Sequence, residues 1–256
     1  MATQSQPYTS SPAQPAGPRS LTVRGATRSY FSTSVGTKVL MAITGLLLFL
    51  YLVLHLLGNL LVFFGPATFN SYSYALVHNP LIVPVEIGLL AIFVIHIYKA
   101  VTNWWANRKA RPVPYYQSYK RIFRYGWANY TSRKSIASST MIFSGILIFF
   151  FVLLHLKQFR FGAEYVATTP GVPPGARDLY RLELEVFSNL ANVVIYVLAM
   201  IVVGAHLWHG FSSAFNSLGA DHPKYTPWVL RLGKVFAIVI AGGFLFIPIW
   251  AHFLHG

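Results

Sequence analysis

Five stretches of this chain stay apolar for about 20 residues or more, the length of helix that crosses a hydrocarbon core. They run roughly from Val39 to Phe64, Leu81 to Trp105, Ile136 to Leu156, Val186 to Phe215 and Val229 to His252. Lipid offers the backbone no hydrogen-bond partner, so such runs must satisfy their own N–H and C=O groups as helices. The expectation is an all-α membrane protein with five transmembrane helices in a bundle. With 55% hydrophobic and 10% charged residues among 256, the composition agrees. Pro80 and Pro84 fall at the start of the second run, where a missing N–H matters least. Pro248 is expected to kink the outer turn of the fifth. Residues 1–32 form a separate segment: Met1 to Pro18 is rich in Ser, Gln, Pro and Ala without apolar periodicity and is expected to be a disordered cytoplasmic tail, followed by an interfacial stretch from Leu21 to Tyr30. The first run is too long for a signal-peptide core, so the mature chain is expected to keep this segment. Residues 33–256 are the membrane domain, in which no internal repeat is evident.

Charge orients the runs. Arg19, Arg24, Arg28 and Lys38 precede the first; Arg108, Lys109, Arg111, Lys120, Arg121, Arg124, Arg133 and Lys134 fill the link between the second and third; Lys224, Arg231 and Lys234 border the link before the fifth. Gly65 to Pro80 has no Lys or Arg, and Lys157, Arg160, Arg177 and Arg181 are offset by Glu164, Asp178, Glu183 and Glu185. The positive-inside rule then places the N-terminus in the cytoplasm and the C-terminus outside. The net charge of +14 thus reflects membrane topology and no nucleic-acid binding. Gly171-Val-Pro-Pro-Gly175 reads as a turn-rich outer connection. The long basic link also carries Tyr115, Tyr116, Tyr119, Phe123, Tyr125 and Trp127. It serves equally as an interfacial belt beside anionic lipid or as a docking surface for a cytoplasmic partner.

The chain has no cysteine, which excludes disulfides, thiolate metal sites and cysteine-held iron–sulfur clusters within it. Histidines remain. An imidazole at lipid depth is costly without a partner, yet His55, His96, His155 and His206 lie one on each of the first four runs. His55 and His155 fall in the outer half. His96 and His206 each sit about 11 residues before an inner helix end, roughly 16 Å from it. Two matched pairs of imidazoles facing each other across a helical interior suit a six-coordinate haem iron, whose macrocycle supplies the other four nitrogens. Zinc or copper would want further ligands at the same level, and no Cys, Asp or Glu stands beside either pair. The expectation is two b haems, an outer one on His55 and His155 and an inner one on His96 and His206. No Cys-x-x-Cys-His motif exists for covalent attachment. His209, one turn beyond His206 on nearly the same face, matches His96 in height less well and is assigned to a haem propionate or a quinone. His78 and His222 in loops, and His252 and His255 at the outer terminus, are read as non-ligands. Gly45, Gly58, Gly88, Gly145 and Gly204 would let a porphyrin face or another helix approach, helix packing being the commoner reason for any one of them.

At these residues the chain resembles the di-haem cytochrome b subunit of succinate:menaquinone oxidoreductases and fumarate reductases. The resemblance is carried by Met41-Ala-Ile-Thr-Gly45, Leu54-His-Leu-Leu-Gly-Asn59, Phe69-Asn-Ser71, Ile95-His-Ile-Tyr98, Leu154-His155 and His206-Leu-Trp-His-Gly210, in order from about Thr33 to the C-terminus. It implies the same pairing of ligands, and favours His206 over His209. It also implies a flavoprotein that oxidises succinate and an iron–sulfur protein, both on the cytoplasmic face, with this chain as their anchor and their route to menaquinone. The heterotrimer so implied can associate further.

Quinone reduction needs a group that exchanges protons near the ring oxygens. Glu86, the one acidic residue in the first three runs, is the candidate for an outer quinone site; an interfacial carboxylate reached by water is the simpler alternative. On the inner side Ser34 and Lys38, at i, i+4 spacing, are candidates for a quinone oxygen, although Lys38 also suits a snorkelling anchor. The rival readings are a cytochrome b anchor of another respiratory complex, a transporter or channel that uses the histidines as a relay, and a purely structural anchor.

Overall fold

The computed structural model of the chain describes residues 33–110, 136–220 and 222–254. The N-terminal segment 1–32, most of the basic aromatic link and His255 lie outside the described residues. Among the described residues seven α-helices follow in order: α1 (Ser34–Asn59), α2 (Pro66–Val77), α3 (Ile82–Lys109), α4 (Ile136–His155), α5 (Leu179–Ser188), α6 (Leu190–Ser217) and α7 (Thr226–Leu254). A 3₁₀ turn, Leu60–Phe64, follows α1, and a π turn, Leu156–Arg160, follows α4. Five helices, α1, α3, α4, α6 and α7, are long and apolar enough to cross a membrane. Among the described residues the only bridge between extended segments joins Val166 and Arg177.

Polar side chains set where the helices start. The Thr33 hydroxyl accepts the Gly36 N–H at 3.0 Å, the Asp178 carboxylate accepts the Arg181 N–H at 3.0 Å, and the Asn189 amide oxygen accepts the Ala191 N–H at 2.9 Å, each satisfying a donor the first turn cannot. Asn189 corrects the fourth apolar run. That run was expected from Val186 onward, but the chain turns at Asn189, so Val186 belongs to α5 and α6 begins at Leu190. Gly65, at φ 88°, lies in the left-handed half of backbone space and redirects the chain into α2, whose first residue is Pro66. The connection from Gly65 to Pro80, expected as a loop, is therefore largely helical. Pro248 does not interrupt its helix, since α7 continues through it to Leu254.

The histidine-bearing helices make a closed circuit of contacts, α1 on α3, α3 on α4, α4 on α6 and α6 on α1, and α7 packs outside against α6 and α1. Small residues permit the tightest of these approaches. A methyl group added at Gly204 of α6 would stand 2.9 Å from the Ala241 Cβ of α7. Large apolar side chains such as Leu54, Ile87, Leu90, Phe150, Leu198 and Ile238 are exposed on the long helices. A protein in water would bury such a belt, and lipid makes burial unnecessary.

The packed core gathers at one end. Leu56, Val62, Phe69, Phe187, Val193, Tyr196, Ile240, Ile247 and Ala251 form a buried cluster beneath α2 and α5, hereafter the cap end; the other end carries the basic links. Asn70 of α2, fully buried, donates to the Asp178 carboxylate at 2.8 Å and accepts the Tyr180 N–H at 3.0 Å, tying α2 to the start of α5. Arg177 donates to the carbonyls of Phe159, Gly162 and Ala163 at 2.8 to 3.0 Å and so holds the loop before α5 on the end of the π turn.

Glu183 of α5 is not the loop acid expected to dilute the outer positive charge. It is 4% exposed, and burial pushes its carboxyl from an ordinary 4.5 up to about 8. The folded chain therefore keeps this proton where the unfolded chain has lost it. Stability is greatest below pH 4.5 and falls as pH rises towards 8, by at most about 1.4 kcal/mol per pH unit. Glu183→Gln should flatten that part of a thermal-unfolding profile in detergent; an unchanged slope would assign the pH dependence to other groups.

Candidate functional site

His55 of α1 and His155, the last residue of α4, meet beneath the cap. Their ring centroids are 5.9 Å apart and their planes nearly perpendicular, at 84°. Aromatic side chains surround them. Tyr51 stacks on His55 at 5.4 Å, Phe244 lies 5.5 Å from His55, and Phe159 lies 5.2 Å from His155. The Tyr196 hydroxyl is 3.4 Å from His155 Nδ1 and donates to the Gln158 amide oxygen at 2.7 Å. Gln158 in turn donates to Asn192, and Asn192 to the Val186 carbonyl, so the His155 surroundings are fastened to the joint between α5 and α6. At His55 the neighbour is Asn59, whose amide nitrogen donates to the His55 carbonyl at 2.7 Å and lies 3.3 Å from Nδ1.

The second pair lies towards the basic end. His96 lies on α3 and His206 on α6, two helices that both pack on α1 and α4. Each ring is held from a neighbouring helix: the Thr44 hydroxyl of α1 is 3.2 Å from His96 Nδ1, and the Ser144 hydroxyl of α4 is 2.9 Å from His206 Nδ1. The glycine after each hydroxyl makes the approach possible. A Cβ at Gly45 would lie 3.2 Å from His96 Cε1, and one at Gly145 3.8 Å from His206 Cε1.

The other expected positions divide. Glu86, on the second turn of α3, lies 3.6 Å from Arg160 at the end of the π turn, both well exposed. Lys38 is exposed; Ser34 opens α1, and its side chain is outside the described residues. His209 is half-buried, one turn from His206. His78 stacks on Tyr74 at 3.8 Å, and His222 precedes α7. His252 departs from expectation, because its Nδ1 is bonded to the Phe187 carbonyl at 2.8 Å where water was expected to satisfy it. A Cβ at Gly58 would lie 2.8 Å from the Tyr72 hydroxyl, and one at Gly88 would meet nothing within 4 Å.

Among the described residues no group of three or more His, Cys, Asp or Glu side chains could hold a metal ion. His55 and His155, whose ring centroids are 5.9 Å apart, could together hold the iron of a cofactor that supplies the remaining ligands. Sequence reasoning missed Thr44, Ser144, Gln158, Tyr196 and Arg160. A hydroxyl residue followed by glycine, once on α1 and once on α4, was the available signal for the first two. No protein-family model, no curated protein and no solved structure matches this chain.

Proposed function

We propose that this chain is the membrane-anchoring cytochrome b subunit of a succinate:menaquinone oxidoreductase, holding two b haems in a five-helix bundle. The observation that supports the reading is the meeting of the His55 and His155 rings, 5.9 Å between centroids, within a closed circuit of helices that also carries His96 and His206. His55 and His155 hold the outer haem, His96 and His206 the inner, and each haem, when bound, takes up and releases one electron. The basic end faces the bacterial cytoplasm, where an iron–sulfur subunit and a flavoprotein that oxidises succinate dock on the anchor.

The remaining residues orient the ligands and handle protons. Tyr51 covers one face of the His55 ring, and the Tyr196–Gln158–Asn192 series fixes the surroundings of His155. Glu86 lies at the outer end, exposed to water and beside Arg160. Its carboxylate is suited to pass protons to a quinone oxygen there, while Arg160 holds the carboxylate in place. His209 is left to bind a haem propionate or quinone, and Ser34 and Lys38 mark an inner quinone position.

A reduced-minus-oxidised spectrum with haem extraction on the purified protein tests the core of this reading. Two b haems per chain are expected; folded protein without haem would move the histidines to a relay role in a transporter or channel. In the assembled complex, Glu86→Gln should keep both haems and lower menaquinone reduction by about 10²–10⁴-fold, the usual contribution of a positioned acid–base group. Unchanged turnover would return Glu86 to a surface ion pair.

A further inference from the structure

Thr44 and Ser144 belong to the same local pattern, used twice. Thr44-Gly45 precedes His55 on α1 and Ser144-Gly145 precedes His155 on α4, with the hydroxyl residue eleven positions before the histidine in both. Eleven residues are close to three turns, so hydroxyl and histidine lie near one face of each helix, about 16 Å apart. Each helix thus presents its own imidazole at one level and a hydroxyl to a neighbouring helix's imidazole at the other. This is an internal repeat that the apolar pattern conceals.

The direction of the hydrogen bonds follows from their partners. The Thr44 hydroxyl is directed at backbone carbonyls of its own helix, Leu40 at 2.9 Å and Met41 at 3.1 Å; the Ser144 hydroxyl is directed at the Met141 carbonyl at 3.0 Å. A hydroxyl has one hydrogen. With it directed at a carbonyl, the oxygen is free to accept from the imidazole, the arrangement in which Nδ1 of His96 and of His206 carries the proton and donates. Nε2 is left with its lone pair, the form a metal requires. Thr44 is itself 4% exposed, so no water competes freely for this position.

We propose that Thr44 and Ser144 are positioning residues that set the ring orientation, tautomer and electron donation of His96 and His206, and through them the potential of the inner haem. The proposal rests on the cytochrome reading above. An N–H donated from the far side of a ligating imidazole raises its basicity, and losing such a partner commonly weakens the metal site about 10–100-fold. Stronger donation favours the oxidised iron. Removing either hydroxyl should raise the potential of the inner haem, by about 59 mV for each tenfold loss of that preference.

The test is a redox titration of the purified, haem-loaded protein carrying Thr44→Val or Ser144→Ala, with Thr44→Ser and Ser144→Thr as hydroxyl-preserving counterparts. One haem should shift upward in potential in the first two variants and stay near its original value in the second two, with the other haem unmoved throughout. Where a hydroxyl-free variant loses the haem, retention of both haems at normal potentials in its counterpart supports the same role. Unmoved potentials in Thr44→Val and Ser144→Ala, or equal losses in the counterparts, would overturn it. Haem-free wild-type protein would overturn the cytochrome reading itself, a distinguishable result.

Discussion

Alanine at His55, His96, His155 or His206 should leave a folded chain with one of the two proposed b haems, while alanine at His209 should leave both. Each ligand pair draws its members from two different helices, so removing one imidazole halves the protein's hold on that iron without touching the other pair. The pairs sit at separate levels, which makes their losses independent. His155→Ala also frees the Tyr196 hydroxyl, but Gln158 retains it through a 2.7 Å bond, and the core around it should survive. The measurement is haem per polypeptide by pyridine haemochrome, alongside an unfolding curve to confirm that each variant is folded. Loss of both haems from a folded single variant would show that the levels are coupled. Loss on His209→Ala with retention on His206→Ala would reverse the assignment within α6.

Asn70→Ala should destabilise the cap by roughly 2–4 kcal/mol, far more than its size suggests. Asn70 is fully buried and makes two bonds at once, to Asp178 and to the Tyr180 N–H. Its removal strands an acceptor and a donor where water has poor access, and each costs about 1–3 kcal/mol. Asp178 also caps α5 through the Arg181 N–H, so the loss reaches the helix carrying Glu183 and Phe187. Ser71→Ala, next along the chain, removes only an exposed contact of 3.5 Å to the Gly171 carbonyl and should change stability by less than about 0.5 kcal/mol. Thermal unfolding of both variants in detergent, followed by the fluorescence of Trp250, makes the comparison. Equal midpoints would mean that the cap is held by its apolar cluster alone.

Much of this molecule was legible from the order of its residues. Apolar length marks the five long helices because lipid leaves the backbone no other way to bond. The heights of His55, His96, His155 and His206 follow from counting along helices of fixed rise. What escaped is equally specific. Leu179, Leu182, Val186 and Phe187 share a helical face with Glu183, but charge marked the segment as loop, and only packing against α2, α6 and α7 shows that the carboxyl goes inward. Asn189 ends one helix and begins another inside a run whose hydropathy barely changes. Thr44 and Ser144 look like ordinary small residues until α3 and α6 bring imidazoles to them from 52 and 62 positions away.

The sequence by itself determined the class of solvent, the number of long apolar helices and the level of each histidine, since all three depend on composition and rise along one axis. Tertiary structure decided that the His55 and His155 rings meet, which hydroxyls stand beside His96 and His206, and which carboxylate is buried. Those are relations between helices, fixed by rotation about their axes and by packing at glycine gaps, and no periodicity within a single helix contains them.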